Sequence, residues 1–180
     1  MTISGVEQAT RVLRVLHVED SELDHQLILA QLGRAGLKVE TERLDAWPAV
    51  LAALERPWDA IISDFNLPGY SGLQVLEALK ARQLPTPFIL VSGEIGEDTA
   101  VAAMRNGASD YLLKNNLARL APALLHAIDA AESERARLAA DQELVKSKQR
   151  LHQLAGHLQT SVELERAAIA REIHDDVGGS

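Results

Sequence analysis

The sequence predicts an α/β domain, a five-stranded doubly wound parallel sheet, followed by a long C-terminal α-helix that pairs with a second copy as a dimeric coiled coil. Three features of the 180-residue chain carry this expectation. From Val12 to about Leu113, short apolar runs alternate with amphipathic segments, the pattern of a parallel sheet covered by helices on both faces. From Leu117 onward the strand-like runs cease and the only proline is Pro122. In that second stretch apolar side chains recur every seven residues.

The strand candidates are Val12 to Val18, Val39 to Leu44, Ala60 to Ser63, Pro87 to Ser92 and Ser109 to Leu113. The middle ones are continuously apolar, as strands buried on both faces are. Four helices are expected between them. Glu22 to Gly33 carries Leu23, Leu27, Ala30 and Gln31 at helical spacing, and Pro48 to Glu55 opens with proline in the first turn, where the missing N–H has no intrahelical partner to lose. Gly72 to Arg82 repeats Leu73, Leu76 and Leu79, while Glu97 to Arg105 begins with acids that suit the positive end of a helix dipole. Gly36, Gly69 and Gly107 mark the joins. This strand–helix order implies right-handed crossovers and places a ligand site outside the carboxyl ends of the strands.

The stretch from Leu117 to about Ile173 reads as helix, and about 57 residues would reach about 85 Å. A helix of that length needs a partner. Leu124, Ala131, Leu138 and Val145 form one heptad series and Leu144, Leu151 and Leu158 a second. Leu154, Leu158 and Val162 then step by four, so the supercoil should change locally, with a bend at Gly156. The expected organisation is an N-terminal tail at 1–11, the α/β domain at 12–130, a coiled-coil helix at 131–160 and the beginning of a further helical domain at 161–180.

Composition excludes several classes of function. Lys+Arg 18 against Asp+Glu 26 gives a net charge of −8, which leaves no broad basic face for phosphate backbones, so nucleic acid is not an expected partner. With no cysteine there is no disulfide framework, thiolate zinc site or cysteine nucleophile. The N-terminus lacks the basic and apolar regions of a signal peptide, and no apolar run approaches the length of a membrane span. A cytoplasmic chain with no membrane partner is the expectation. At 47% apolar and 3% aromatic, the interior must be built from Ala, Leu, Val and Ile.

The carboxyl edge of the sheet concentrates the chemistry. Glu19 and Asp20 follow the first strand, Asp64 follows the third, Ser92 ends the fourth and Lys114 follows the fifth. Like charges a few ångströms apart raise one another's pKa unless a cation sits among them. An all-oxygen donor set suits a hard ion such as Mg²⁺.

With these residues the chain resembles the CheY-like receiver domains of two-component response regulators, over about Val12 to Ala130. The signature is Val-Glu-Asp at 18–20, Ser-Asp-Phe-Asn-Leu-Pro-Gly at 63–69, Val-Ser-Gly at 91–93 and Gly-Ala-Ser-Asp-Tyr-Leu-Leu-Lys at 107–114. The resemblance implies a flavodoxin-like fold with Asp64 as phosphoacceptor, and Mg²⁺ held by Glu19, Asp20, Asp64 and the carbonyl of Asn66. It further implies that Lys114 pairs with the phosphoryl oxygens, that Ser92 turns its hydroxyl onto them, and that Tyr111 swings inward in response. Asn66 and Glu94 match the positions that tune dephosphorylation, and their polar and acidic character implies an acyl phosphate that decays within minutes. One departure concerns the lysine: Asn115 follows Lys114 where most receivers have proline.

The segment Glu165-Arg166-Ala167-Ala168-Ile169-Ala170-Arg171-Glu172-Ile173-His174-Asp175-Asp176 resembles the phosphoacceptor H-box of the histidine-kinase subfamily that includes nitrate sensors and membrane-fluidity sensors. The resemblance implies that His174 takes a phosphoryl group from ATP with Asp175 as general base. Gly179 stands where that family often places a glutamine for phosphatase chemistry. His17, His25, His126, His152 and His157 show no metal-ligand spacing and read as structural or surface residues.

The expected protein is therefore the N-terminal part of a hybrid histidine kinase. Its receiver would be charged by an upstream histidine kinase or phosphotransfer protein, its coiled coil would form a homodimer, and its kinase would pass phosphate to a downstream response regulator. The alternatives are a stand-alone receiver adaptor and a transcriptional response regulator cut short of its DNA-binding domain. A kinase input rather than a phosphate sink is expected, because a continuous helix would put His174 on the order of 80 Å from Asp64.

Overall fold

The computed structural model describes residues 11–94 and 96–178. The main sheet consists of β1 (Val12–Val18), β2 (Lys38–Leu44), β3 (Ala60–Asp64), β4 (Phe88–Ser92) and β5 (Asp110–Leu113), in the spatial order β2-β1-β3-β4-β5 and parallel throughout. The continuously apolar runs take the middle positions for a simple reason. Every residue of β3 and β4 is buried, whereas β2, which carries Lys38, Glu40, Glu42 and Arg43, lies at one edge and is only half-buried.

Helices α1 (Glu22–Arg34), α2 (Trp47–Leu54), α3 (Gly72–Ala81) and α4 (Glu97–Arg105) connect the strands, and α5 (Leu120–Gly178, 59 residues) follows β5 through a 3-10 turn at Lys114–Arg119. Side-chain alternation along β1 divides the interior into two layers. Leu16 and Val18 face a core completed by Val50 and Leu54 of α2, Val75, Leu76 and Leu79 of α3, and Ala103 of α4. Leu13 and Val15 face the opposite core, closed by Ile28 and Leu32 of α1 and by Leu120, Leu124 and Ile128 at the root of α5.

The predicted strands and the four helices between them are present with ends displaced by a residue or so, while the long helix runs Leu120–Gly178 rather than from Leu117 to about Ile173. The cores decide which helix faces are buried, and one seam expectation is corrected. On α1 the buried face is His25, Ile28 and Leu32, while Leu23 and Leu27 are 70% and 50% exposed, because the second core lies opposite the leucine stripe. Leu124 belongs to the α/β core and is fully buried there, so it is unavailable to a coiled-coil seam. Gly156 lies within the continuous α5, with the Thr160 hydroxyl donating to its carbonyl at 3.0 Å.

The chain divides into two compact units, Met1–Ser133 and Glu134–Ser180. In the first, Arg11 ties the start of β1 to Asp59 and, at 2.8 Å, to Glu132 of α5. In the second, the described residues are all helical, and Leu138, Leu144, Val145, Leu151, Leu158 and Val162 are each 46–66% exposed. Among the described residues, no helix is long and apolar enough to cross a membrane.

Candidate functional site

Three strand ends build the site. Glu19 leaves β1 with its N–H bonded to the Leu44 carbonyl at 3.0 Å and its own carbonyl accepting from Arg43 at 3.1 Å, so its backbone is tied to the end of β2. Asp64 is the last residue of β3 and is buried. It cannot retreat, because Gly72 at the start of α3 packs against it: a Cβ on Gly72 would stand 2.4 Å from the Asp64 carbonyl oxygen and 2.4 Å from Leu90. Between them, Asn66–Leu67 and Tyr70–Ser71 form a short antiparallel pair. Its turn is made possible by Gly69 at φ +83°, a conformation open to glycine and strained for other residues.

Carboxylate oxygens of Glu19, Asp20 and Asp64 lie within 4.8 Å of one another. Glu19 is almost completely buried; one of its oxygens accepts from the Ser21 N–H at 3.0 Å, while Oε2 has an ion-pair contact at 3.2 Å with Lys114 but no hydrogen bond of good geometry. Burial raises the Glu19 pKa to about 7, with the Asp64 charge acting in the same direction and the Ser21 N–H and Lys114 opposing. An incompletely satisfied buried carboxylate beside two others, all hard oxygen donors, is a donor set that fits a divalent cation such as Mg²⁺.

Opposite these acids, Lys114 leaves β5 and places Nζ 3.1 Å from Asp64 Oδ2, 3.2 Å from Glu19 Oε2 and 2.6 Å from Asp24 Oδ2. Burial alone would lower the lysine pKa, but hydrogen bonds to Asp24 and Asp64 outweigh it and raise the pKa, which keeps the ammonium charged. There is no cis peptide bond among the described residues, including that between Lys114 and Asn115.

Ser92 and Tyr111 meet at one acceptor. The Ser92 hydroxyl donates to the Glu94 carbonyl at 3.2 Å and accepts from the Glu94 N–H, and the Tyr111 hydroxyl donates to the same carbonyl at 3.0 Å. Asn66, in the short strand that follows Asp64, and the Glu94 side chain, after β4, are exposed.

The structure thus brings together Glu19, Asp20, Asp64 and Lys114, and sets Ser92, Glu94 and Tyr111 as a linked group. His174 lies exposed in the second unit, on α5; the side chain of Asp175 and residue Gly179 fall outside the described residues. Asp24 is the site residue that sequence reasoning missed. An aspartate in the first turn of α1 reads as a favourable partner of the helix dipole, and nothing in its spacing announces a contact 90 positions away.

Solved structures share the fold that carries this site. The signal receiver domain of a putative LuxO repressor protein from Vibrio parahaemolyticus superposes with a TM-score of 0.62 at 27% identity, over 70% of this chain and 97% of that one. Full-length FixJ from B. japonicum gives a TM-score of 0.61 at 29% identity, over 73% of this chain and 64% of that one.

The family described as "Response regulator receiver domain" matches residues 15–125, more than half of the chain, and the protein belongs to that family. Among curated relatives, the cell cycle transcriptional regulator CtrA of Caulobacter vibrioides is 35% identical over 102 residues, 57% of this chain and 44% of the relative. The C4-dicarboxylate transport transcriptional regulatory protein DctD of Pseudomonas aeruginosa is 35% identical over 102 residues, 56% of this chain and 22% of the relative. The chain spans less than half the length of these relatives. It is a two-component response regulator receiver followed by a long helix.

Proposed function

We propose that Asp64 is the phosphoacceptor of this receiver, with Mg²⁺ held by Glu19, Asp20, Asp64 and the Asn66 carbonyl. The observation that carries this reading is the placement of the Lys114 ammonium 3.1 Å from Asp64 Oδ2, opposite the acid cluster. An aspartate can attack phosphorus only where the charge on the transferring group is neutralised, and positioned cations supply that. The bound metal would contribute charge neutralisation; the protein orients the Asp64 carboxylate through β3 and Gly72 and brings the fixed charge of Lys114 to the phosphoryl oxygens. Ser92 then exchanges its Glu94 carbonyl for a phosphoryl oxygen, and Tyr111 follows. The acyl phosphate decays within minutes, tuned by Asn66 and Glu94.

The test is incubation with a small acyl phosphate donor and Mg²⁺, followed by intact-mass analysis. One phosphoryl group on the wild-type chain and none on Asp64→Asn is the expected result. An unmodified wild-type chain that also fails to bind beryllofluoride would refute the reading.

The output we infer is a histidine kinase. Residues 131–160 form a homodimeric coiled coil, supported by the exposed leucine and valine stripe of the second unit. Residues 161–180 begin the phosphoacceptor domain, supported by the H-box-like run ending at the exposed His174. In this reading an upstream histidine kinase or phosphotransfer protein charges Asp64. His174, with Asp175 as its general base, passes phosphate to a downstream response regulator. Full-length protein carrying Asp64→Asn should show autokinase activity altered under one signalling condition; identical activity under both conditions would remove the link.

A second reading has its own support, since the matched relatives CtrA and DctD are named as transcriptional regulators. Under it the long helix is a dimerisation arm, and His174→Ala in the full-length protein would leave signalling intact.

A further inference from the structure

Asp24 makes the shortest contact in the site, 2.6 Å from Lys114 Nζ, yet it lies outside the acid cluster of Glu19, Asp20 and Asp64. It is carried by the first turn of α1, whose N-cap Ser21 receives the Asp24 N–H at 3.2 Å, so its backbone is fixed where the helix starts. The three carboxylates around Nζ therefore have unequal fates. Glu19 and Asp64 belong to the acid cluster that would hold a cation, and Asp64 would change again on phosphorylation. Asp24 has neither obligation.

A lysine has a flexible four-carbon stem and loses rotamer freedom on being fixed. Here the residue after it is Asn115 rather than a rigid proline, so the backbone contributes less to aiming the side chain. Nζ carries three N–H donors. One bond to Asp24 holds the ammonium, and the donors that here face Asp64 and Glu19 are the ones a transferring group would meet.

Resting on the reading of Asp64 as phosphoacceptor, we propose that Asp24 is a positioning residue, the permanent anchor of the Lys114 ammonium, which holds that charge in place through metal binding and phosphoryl transfer. In the transfer itself an Asp64 carboxylate oxygen forms the new O–P bond as the P–O bond to the donor's acyl group breaks, and the donor's carboxylate leaves; Asp24 takes no part in bond making. It acts by fixing one donor of Lys114 so that the other two meet the phosphoryl oxygens.

The experiment compares wild type, Asp24→Asn and Asp24→Ala with acetyl phosphate as donor. An amide retains one acceptor oxygen in the same place without the charge, whereas alanine removes both. The rate of Asp64 phosphorylation should fall in the order wild type, Asn, Ala, with a loss of about tenfold for alanine. Mg²⁺ affinity of the unphosphorylated chain should not weaken in either variant, because Asp24 is not a ligand, while beryllofluoride affinity followed by ¹⁹F NMR should weaken in step with the rate.

Faster phosphorylation in both variants would show that Asp24 competes for the lysine and would overturn the proposal, as would a loss of Mg²⁺ affinity. If wild type is phosphorylated and all three proteins behave alike, the anchor is refuted while the phosphoacceptor survives. If wild type takes no phosphoryl group and binds no beryllofluoride, both fall. Matching thermal melting of the three proteins shows that the variants fold.

Discussion

The imidazole Nδ1 atoms of His17 on β1 and His25 on α1 lie 2.7 Å apart, both rings buried, with the His17 Nε2 left without a hydrogen bond. Such a pair can share one proton between the two nitrogens but cannot accommodate a second charge. Burial, followed by the charges of His25, Lys114 and Arg43, lowers the His17 pKa from 6.5 to about 3. Between those values the unfolded chain binds a proton that the folded chain refuses. Stability is thus fully present above pH 6.5 and declines as pH falls toward 3, by at most about 1.4 kcal/mol per pH unit. Glu19 works in the opposite direction, since a pKa raised from 4.5 to about 7 favours the folded state most at low pH and loses that contribution as pH rises through 7. Urea unfolding of His17→Leu beside wild type at pH 5 and pH 7 cancels the Glu19 contribution. The variant should show the flatter acid limb, and an identical pH dependence would reject the argument.

Gly72 should not tolerate alanine. Its added methyl would meet backbone at 2.4 Å, and the Asp64 carbonyl has no freedom to move aside within a buried strand. Overpacking of this kind costs about 1–3 kcal/mol or more. Chemical denaturation of Gly72→Ala should register that loss, and phosphorylation of Asp64 should slow because the nucleophile is displaced.

Two leucines of α5 should behave in opposite ways. Leu124 is fully buried, so Leu124→Ala should destabilise the receiver by about 2–5 kcal/mol. Leu151 is 66% exposed, and Leu151→Glu should leave receiver stability within about 0.5 kcal/mol while lowering the dimer fraction seen by sedimentation equilibrium. A Leu151→Glu protein as dimeric as wild type would exclude this stripe from the interface.

The shared acceptor of Ser92 and Tyr111 gives a spectroscopic test. Both hydroxyls bond to the Glu94 carbonyl at 3.2 and 3.0 Å. When beryllofluoride and Mg²⁺ are added, the Glu94 and neighbouring amide resonances should shift strongly in wild type. The shift should be much reduced in Ser92→Ala, which has no hydroxyl to transfer.

The sheet was legible because its signal is local. Short β-branched runs such as Ala60–Ile61–Ile62 and Phe88–Ile89–Leu90–Val91, bounded by turn signals, read as strands buried on both faces, and parallel topology places the acids and lysine that follow particular strands at one edge. Helix α1 was less transparent in its orientation. Its leucines at 23 and 27 mark a stripe as apolar as the one that is buried, and only the position of the second core decides between them.

By itself the sequence determined the order of strands and helices, the receiver signature and the gathering of Glu19, Asp20, Asp64 and Lys114, since each depends on residues adjacent to a strand end. Tertiary structure alone decided that Asp24 grips Lys114, that His17 faces His25, that Ser92 and Tyr111 share one carbonyl, and that Leu124 belongs to the receiver core. These are contacts between residues distant in sequence or on different elements, and they are set by the packing distance and rotation of whole helices and strands, quantities to which no short stretch of sequence is sensitive.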